Sequence, residues 1–494
     1  MSEDVRKAAV AIPVRSVRGG LEVWCGRRAP NAQPFSGFHV FPGGRVDEND
    51  RRIPVKGATG DEALHRAAAA RELFEEAGLW IARGGAPVGR AGAREDLRSG
   101  AISFAELLSG LGGTLHACDL RAVGSRSTPA FSSHRYRIRY YLVDIGSARE
   151  ADAACPDGSE LDMGGWTKPA TPLASWAESK LLMIASGRRV LERIEGAHGS
   201  FERAAARIAE SLDGITDHDE SRDELLPGIR VLPLRTPTLP PATRTNCVIL
   251  GDRRLALVDP ASPWADEQAR LESTLRTLVG EGRSIEKILL THHHRDHIGG
   301  LDQLARALGT PIAAHPETAR LMGSIVDEHL EDGDSIELDP GRCVDVVFTP
   351  GHAPGHLVFH DRSTDAAVVG DMVATVGTII IDPSDGDMAL YLRSLDRIKS
   401  LESRVLIPAH GAAIGDPRGK LDETIAHRLM REDKVLQSLA ALEAGATLSE
   451  LLPAVYDDTP VELHRWAERS LLSHLGKLVQ EGKVGRRSGR YRMV

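Results

Sequence analysis

The residues best suited to chemistry lie in "LLTHHHRDHIGG", Leu289–Gly300, which packs His292, His293, His294, Asp296 and His297 into one short stretch. Imidazole and carboxylate groups at this density are ligands for cations such as zinc. "KILLT" is apolar and arrives extended, and alternate side chains of an extended chain share a side. His292 and His294 are therefore expected to point together, with His293 turned away as a packing or surface residue. "RDHIGG" turns into a helix beginning near Leu301 and returns Asp296 and His297 to the same locus. Three later apolar runs each end in a ligating residue: "VVFTPGH" at His352, "AAVVGD" at Asp371 and "VLIPAH" at His410. Such strand exits are where α/β folds carry their chemistry. The whole set suits two adjacent metal ions. His356, in "GHAPGH", is either a support for those ligands or an ordinary polar loop residue.

Two metals would make hydroxide available at neutral pH and polarise an attacked phosphoryl or carbonyl group, with Asp296 helping to orient the hydroxide. No G-x-S-x-G or Walker pattern offers another route. A second reactive group is "RELFEEAGL", Arg71–Leu79, where Glu72, Glu75 and Glu76 are spaced to share one helical face. Clustered carboxylates repel one another unless a cation neutralises them, and Mg²⁺ or Mn²⁺ suits oxygen ligands.

These groups must be positioned by a chain of 494 residues, enough for about three domains. Its 41% apolar and 27% charged residues are ordinary for a globular protein, and no run approaches the roughly 18 apolar residues of a membrane span. The start, "MSEDVRKAAVAIPV", is acidic at once and lacks the apolar core of a signal peptide. A cytoplasmic location without a membrane partner is expected. Cys25, Cys118, Cys155, Cys247 and Cys343 are scattered, which argues against a disulfide framework and a cysteine zinc site. A net charge of −9 provides no global basic field, so nucleic acid would need a local patch.

Residues 1–213 open with β-like runs, "AAVAIPVRS" and "LEVWCGRR". The Gly/Pro-rich "FHVFPGGRVDEND", the helix "DEALHRAAAARELFEEAG" and a strand at "HRYRIRYYLVDI" follow, with helical patterns from Trp176 onward. Acid-rich "GITDHDESRDELLPG", 214–228, is a solvated linker. Residues 229–420 alternate short apolar strands with helices, which predicts a layered α/β domain. Residues 421–494 are helical and end in the hairpin-like "KVGRRSGRYRMV", the arrangement of a winged helix. Leu471, Leu475, Leu478 and Val479 fall on one helical face there.

The 229–420 segment resembles the metallo-β-lactamase fold, an αββα sandwich with a two-metal site. The resemblance implies His292, His294 and His352 on one metal, Asp296, His297 and His410 on the other, and Asp371 bridging. Zinc is the expected ion, with manganese or iron as alternatives. Only 39 positions separate Asp371 from His410, so the large insert of β-CASP nucleases is absent. "THHHRDH" also occurs in hydroxyacylglutathione hydrolases, but "MVATVGTIIIDP" after Asp371 departs from that family's run. "GTIIIDPSDGDMALYLRSLDRI", "PAHGAAIGDPRGKLDETIAHRLMRE" and the stretch from "LSELLPAVYDD" to "LVQEGKV" resemble β-lactamase-like proteins with a C-terminal winged helix. An animal branch of that family is an endoribonuclease on single-stranded RNA. The resemblance implies an RNA phosphodiesterase, with Lys483, Arg486, Arg487, Arg490 and Arg492 as the patch on the RNA backbone. The alternative is a thioesterase of acyl-CoA or acyl-glutathione type.

"RELFEEAGL" resembles the core of the Nudix box, R-E-U-x-E-E-x-G-U with U apolar, and "GFHVFPGG" is similar to the coenzyme A and nucleotide-sugar branches of that family. The resemblance implies an α/β/α sandwich in which Glu72, Glu75 and Glu76 hold Mg²⁺ or Mn²⁺ and activate water against nucleoside-diphosphate-linked compounds. Arg71 would orient the glutamates, and Glu160 would offer a further carboxylate. The complete box has a glutamate eight positions before the arginine; here that position is Ala63, with Glu62 one position off. A nucleotide-binding module without turnover is therefore the alternative. Taken together, an α/β and α+β multidomain hydrolase, metal-dependent at both sites, is expected.

Overall fold

The computed structural model describes residues 5–85, 92–128, 135–146, 154–212, 223–323, 325–442 and 444–494. Most of the expected 214–228 linker lies outside them. The chain divides into two compact units, Met1–Pro227 and Gly228–Val494.

In the first unit strand Arg6–Val17 runs parallel to Tyr136–Asp144 and antiparallel to Gly20–Arg28 and Gly43–Arg45. Arg121–Ser127 extends the sheet on one side, and His39–Val40 and Leu161–Thr167 pair with Gly20–Arg28. Strand alternation sorts the sheet's two faces. Ala9 and Ala11 meet Ala68, Ala69, Leu73 and Ala77 of helix Gly60–Ala77. Ile12 and Val14 meet Val190, Leu191 and Ile194 of helix Ala185–Glu195, and Ala204 and Ile208 of Phe201–Leu212. The result is an α/β/α sandwich. Helix Gly60–Ala77 stops at Gly78, whose φ of 71° suits a left-handed cap and whose N–H reaches back to the Leu73 and Phe74 carbonyls.

Two larger sheets build the core of the second unit. One runs in the order Ile229–Arg235, Arg244–Leu250, Arg254–Val258, Ser284–Leu289, Ile312–Ala314 and Glu328–His329. The other runs Ser335–Asp339, Arg342–Phe348, Leu357–Asp361, Ala366–Gly370 and Val405–Pro408. Cys247, Ile249, Leu257 and Ile288 pack on Leu271 and Leu275 of helix Ala265–Gly280. On the other sheet Val358, Ala367, Val369 and Leu406 pack on Tyr391, Leu395 and Ile398 of helix Met388–Lys399. The alternate residues, among them Val248, Val258, Leu289, Val346, Phe359, Val368 and Ile407, are buried as well. By strand alternation they fill the space between the sheets. This αββα layering brings the exits of four strands to one edge.

Helix Pro417–Ala440 serves two cores: Leu421 belongs to the sandwich, whereas Val435 and Leu439 join Leu451, Leu471, Leu475, Leu478 and Tyr491 in the C-terminal one. The terminal hairpin, Val484–Arg487 with Arg490–Met493, turns at Ser488 and Gly489 with positive φ at both. Val479, expected on the buried helical face, is 38% exposed. It sits about 100° around the helix from Leu478, beyond the edge of the buried stripe. Among the described residues no helix is long and apolar enough to cross a membrane.

Candidate metal centres

His292, His294 and His352 meet at one spot, with His292 Nε2 and His352 Nε2 at 2.9 and 3.0 Å from His294 Nδ1. Asp296, His297 and His410 form a second group, in which His410 Nε2 is 3.5 Å from Asp296 Oδ2. Asp371 stands between the two. Its Oδ1 lies 3.3 Å from His410 Nε2 and 3.6 Å from His297 Nε2, and its Oδ2 lies 3.4 Å from His352 Nε2.

These residues fit a pair of divalent cations. His297 Nε2 and Asp371 Oδ1 are buried without a hydrogen-bond partner, an arrangement that is costly unless something satisfies both. The outward nitrogens are all engaged. His352 Nδ1 donates to the Ile380 carbonyl at 3.0 Å, His410 Nδ1 to the Arg244 carbonyl at 2.9 Å, and His297 Nδ1 to Asp259 Oδ2 at 2.8 Å. His292 Nδ1 donates to Thr291 Oγ1, which in turn donates to Asp259 Oδ2. His294 is turned the other way, with Nε2 on Asp385 Oδ2 at 2.7 Å. Such partners fix each tautomer and leave the inward nitrogen with its lone pair.

The electrostatics divide the set. Burial pushes His352 down to about 4 and His292 well below the usual imidazole value, so both are neutral donors at physiological pH. Burial alone would raise Asp371, but His410 and His297 hold it well below the usual carboxylate range. Burial would lower His297, yet Asp259 and Asp371 lift it well above its ordinary value, so a cation bound there would have to displace a proton from this ring.

His356 sits beneath the site: its Nε2 accepts the Asp371 backbone N–H at 3.2 Å and its Nδ1 bonds Thr349 Oγ1. Gly370, at φ 50°, is needed there because a Cβ would stand 2.6 Å from His356 Nε2. His293 is outside both groups and faces Asp385 Oδ2 at 3.4 Å. Asp259 and Asp385 were missed by sequence reasoning. Asp259 carried a usable signal, since it ends the apolar run "LALVD" as Asp371 ends its own strand. A cleft of about 810 Å³ opens beside His293, His294 and Arg295, with an apolar wall of Ile298, Leu301, Leu321, Met322 and Ile325.

In the first unit Arg71 gathers the carboxylates. One of its nitrogens donates to Glu72 Oε1 and Glu75 Oε2 at 2.9 and 3.0 Å, and its fork bonds both oxygens of Asp50 at 2.9 and 3.1 Å. Glu76 Oε2 accepts the Gly43 N–H at 3.0 Å, while its Oε1 is buried without a partner. Gly44 permits the close approach of this loop, since a Cβ would lie 2.3 Å from Glu72 Oε1. Burial pushes Glu72 up to about 7 and Glu76 well above the usual range, and Glu160 adds to both through its charge. Glu62 is committed elsewhere, to Arg66.

These raised values have a sign. The folded carboxyls hold protons that the unfolded chain has released, so metal-free stability falls as pH rises from the ordinary carboxyl range through about 7. Mg²⁺ requires the ionised groups. The rise in melting temperature on adding Mg²⁺ is therefore expected to be larger at about pH 8 than at about pH 5.5. Calorimetric scans at both pH values check this, and equal gains would count against a Mg²⁺ site.

Comparison with known proteins matches three family models: the metallo-beta-lactamase superfamily over residues 240–410, the beta-lactamase associated winged helix domain over 447–491, and the NUDIX domain over 5–102. The lactamase-like protein adaB of Aspergillus niger is 31% identical over 261 residues, 49% of this chain and 77% of that protein. The atrochrysone carboxyl ACP thioesterase of Aspergillus fumigatus is 30% identical over 259 residues, 49% of this chain and 78% of that protein. The crystal structure of a metallo-beta-lactamase family protein from Thermus thermophilus covers 55% of this chain and all of its own, with 28% identity and a TM-score of 0.45.

Proposed function

Because the chain belongs to the metallo-β-lactamase superfamily, with a Nudix domain ahead of that fold and a winged helix behind it, we propose that its histidine–aspartate centre hydrolyses acyl thioesters. The observation that carries this reading is the cleft beginning at His293 and His294, one wall of which is apolar. An acyl chain gains about 0.8 kcal/mol for each CH₂ buried in such a cleft. A groove for single-stranded RNA instead combines basic side chains with aromatic platforms; Arg295 and Arg306 line this one, but no Phe, Tyr or Trp does. The likeness to a protein named as an ACP thioesterase supports the same choice.

Two divalent cations, zinc for preference and manganese or iron otherwise, would supply a nucleophilic water at neutral pH and polarise the thioester carbonyl. His292, His294 and His352 would hold one, Asp296, His297 and His410 the other, and Asp371 would bridge. Asp296 also orients the attacking water. A thiolate is a good leaving group near neutral pH, so the protein need not provide a strong acid on that side. In the Nudix domain Glu72, Glu75 and Glu76, gathered by Arg71, would hold Mg²⁺ or Mn²⁺ for attack on a nucleoside-diphosphate-linked compound. A Nudix domain acting on coenzyme A derivatives pairs naturally with thioester hydrolysis.

RNA phosphodiester cleavage is the second reading, favoured by the exposed Lys483, Arg486, Arg487 and Arg492 on the terminal hairpin. That patch is partly neutralised, because Lys483 pairs with Glu481 and Arg490 with Glu450. Acyl-CoA, acyl-carrier-protein thioesters, single-stranded RNA and nucleoside-diphosphate-linked compounds should be offered to wild type, Asp296→Ala and Glu75→Gln. Thioester turnover lost in Asp296→Ala and kept in Glu75→Gln is expected. Cleavage of RNA with thioesters left intact would replace this reading with the second.

A further inference from the structure

The segment Ile379–Asp385 joins the metal centre to the C-terminal helices. Facing the centre, the Ile380 carbonyl accepts from His352 Nδ1 at 3.0 Å and Asp385 Oδ2 holds His294 Nε2 at 2.7 Å. The rest of the segment is gripped from the far side. Arg428, on helix Pro417–Ala440, donates to the Ile379 carbonyl. Ser473, on helix His464–Gln480, donates to the Ile381 carbonyl at 2.6 Å. Arg469 of the same helix pairs with Asp382. The grips on Ile379 and Ile381 thus flank the carbonyl that orients His352. They are deep, since Arg428 is 3% and Ser473 5% exposed. Arg428 also lies over the Tyr391 ring, whose hydroxyl donates to the carbonyl of Met372, next to Asp371.

We infer that the C-terminal helices are a positioning element of the metal centre: Arg428 and Ser473 hold Ile379–Asp385 so that Ile380 and Asp385 orient His352 and His294. Arg428 commits one guanidinium nitrogen to a fixed carbonyl, and a backbone carbonyl held on both flanks cannot swing. The ring it binds is then held in one tautomer and one orientation, which is what a metal ligand requires. This gives the C-terminal helices a role whether or not the hairpin meets nucleic acid. Arg428, Arg469 and Ser473 are positioning residues, because they act through the segment and touch neither substrate nor cation.

The inference rests on the metal reading above, and the test separates the two. Metal-free full-length wild type, Ser473→Ala, Arg469→Ala, Arg428→Lys and Arg428→Met should be titrated with zinc and, separately, loaded with cobalt for visible spectroscopy. Zinc affinity is expected to fall about tenfold or more in Ser473→Ala and Arg428→Met, the range seen when the partner of a ligating histidine is disturbed. The cobalt spectrum should change, and Arg428→Lys should recover part of the loss. Arg469→Ala, nearer the surface, should show a smaller loss. Circular dichroism identifies any variant that fails to fold, and Ser473→Ala, which removes only a hydroxyl, then carries the test. Wild-type affinity and an unchanged spectrum in folded Ser473→Ala would overturn the inference. Failure of wild type itself to bind zinc would overturn the metal reading.

Discussion

Asp371→Asn is expected to lower turnover at the histidine–aspartate centre by about 10³-fold or more, the loss of several kcal/mol of transition-state stabilisation. The substitution keeps the size of the side chain and its backbone bond to His356 Nε2, and removes the charge. That charge is central, because one oxygen faces His410 and His297 and the other faces His352. An amide presents one oxygen and one NH₂ group, and the NH₂ would point a donor at a spot that needs an acceptor. With Asp371 neutral, the carboxylate that lifts His297 and His410 is also gone, and both imidazoles become easier to deprotonate. Steady-state assays with metal content measured on the same samples check this. Near-wild-type turnover in a folded Asp371→Asn would remove the bridging role.

The second large effect lies in the Nudix domain. Asp50→Asn is expected to reduce hydrolysis of nucleoside-diphosphate-linked compounds by about 10²-fold, because Arg71 loses the partner that aims its remaining N–H groups. The box lacks its glutamate at Ala63, and Glu62 is engaged by Arg66. Asp50, wholly buried and 21 positions before Arg71, takes both arms of the guanidinium instead. A buried ion pair is costly to break from one side, and about 3–5 kcal/mol of stability should go with it. Asp50→Glu keeps the charge and should recover part of both losses. Manganese binding followed by electron paramagnetic resonance distinguishes misaligned glutamates, which bind weakly, from a merely less stable fold, which binds normally below its melting temperature. Normal manganese affinity and turnover in Asp50→Asn would show that Arg71 needs no such partner.

Much of the candidate centre was legible in sequence because its candidate ligands are local or sit at strand exits. His292, His294, Asp296 and His297 lie within six residues, and His352, Asp371 and His410 each follow a short β-branched apolar run that reads as a buried strand. The groups that orient them were harder to see. Asp385 lies 91 positions from His294 with no strand exit to mark it, whereas Asp259, 38 positions from His297, was marked only by its place at the end of a strand. Asp50 was invisible for the same reason: the Nudix pattern is written along one helix, and its replacement partner comes from a separate short 3-10 turn, Glu48–Arg52. His356 could not be placed by type, since a histidine in a Gly/Pro-rich loop has no periodicity to give its direction. Helix Pro417–Ala440 shows why a boundary near residue 420 escapes sequence patterning. Its apolar positions look alike, though Leu421 faces one core and Val435 the other.

The most direct test is a calorimetric titration of zinc into metal-free protein, with Mg²⁺ in excess to occupy the Nudix carboxylates. Two tight equivalents per chain are expected in wild type, no more than one in His352→Ala or His410→Ala, and two still in Glu75→Gln. Fewer than two tight equivalents in wild type, or two retained after either histidine is removed, would contradict a paired metal centre built from these residues.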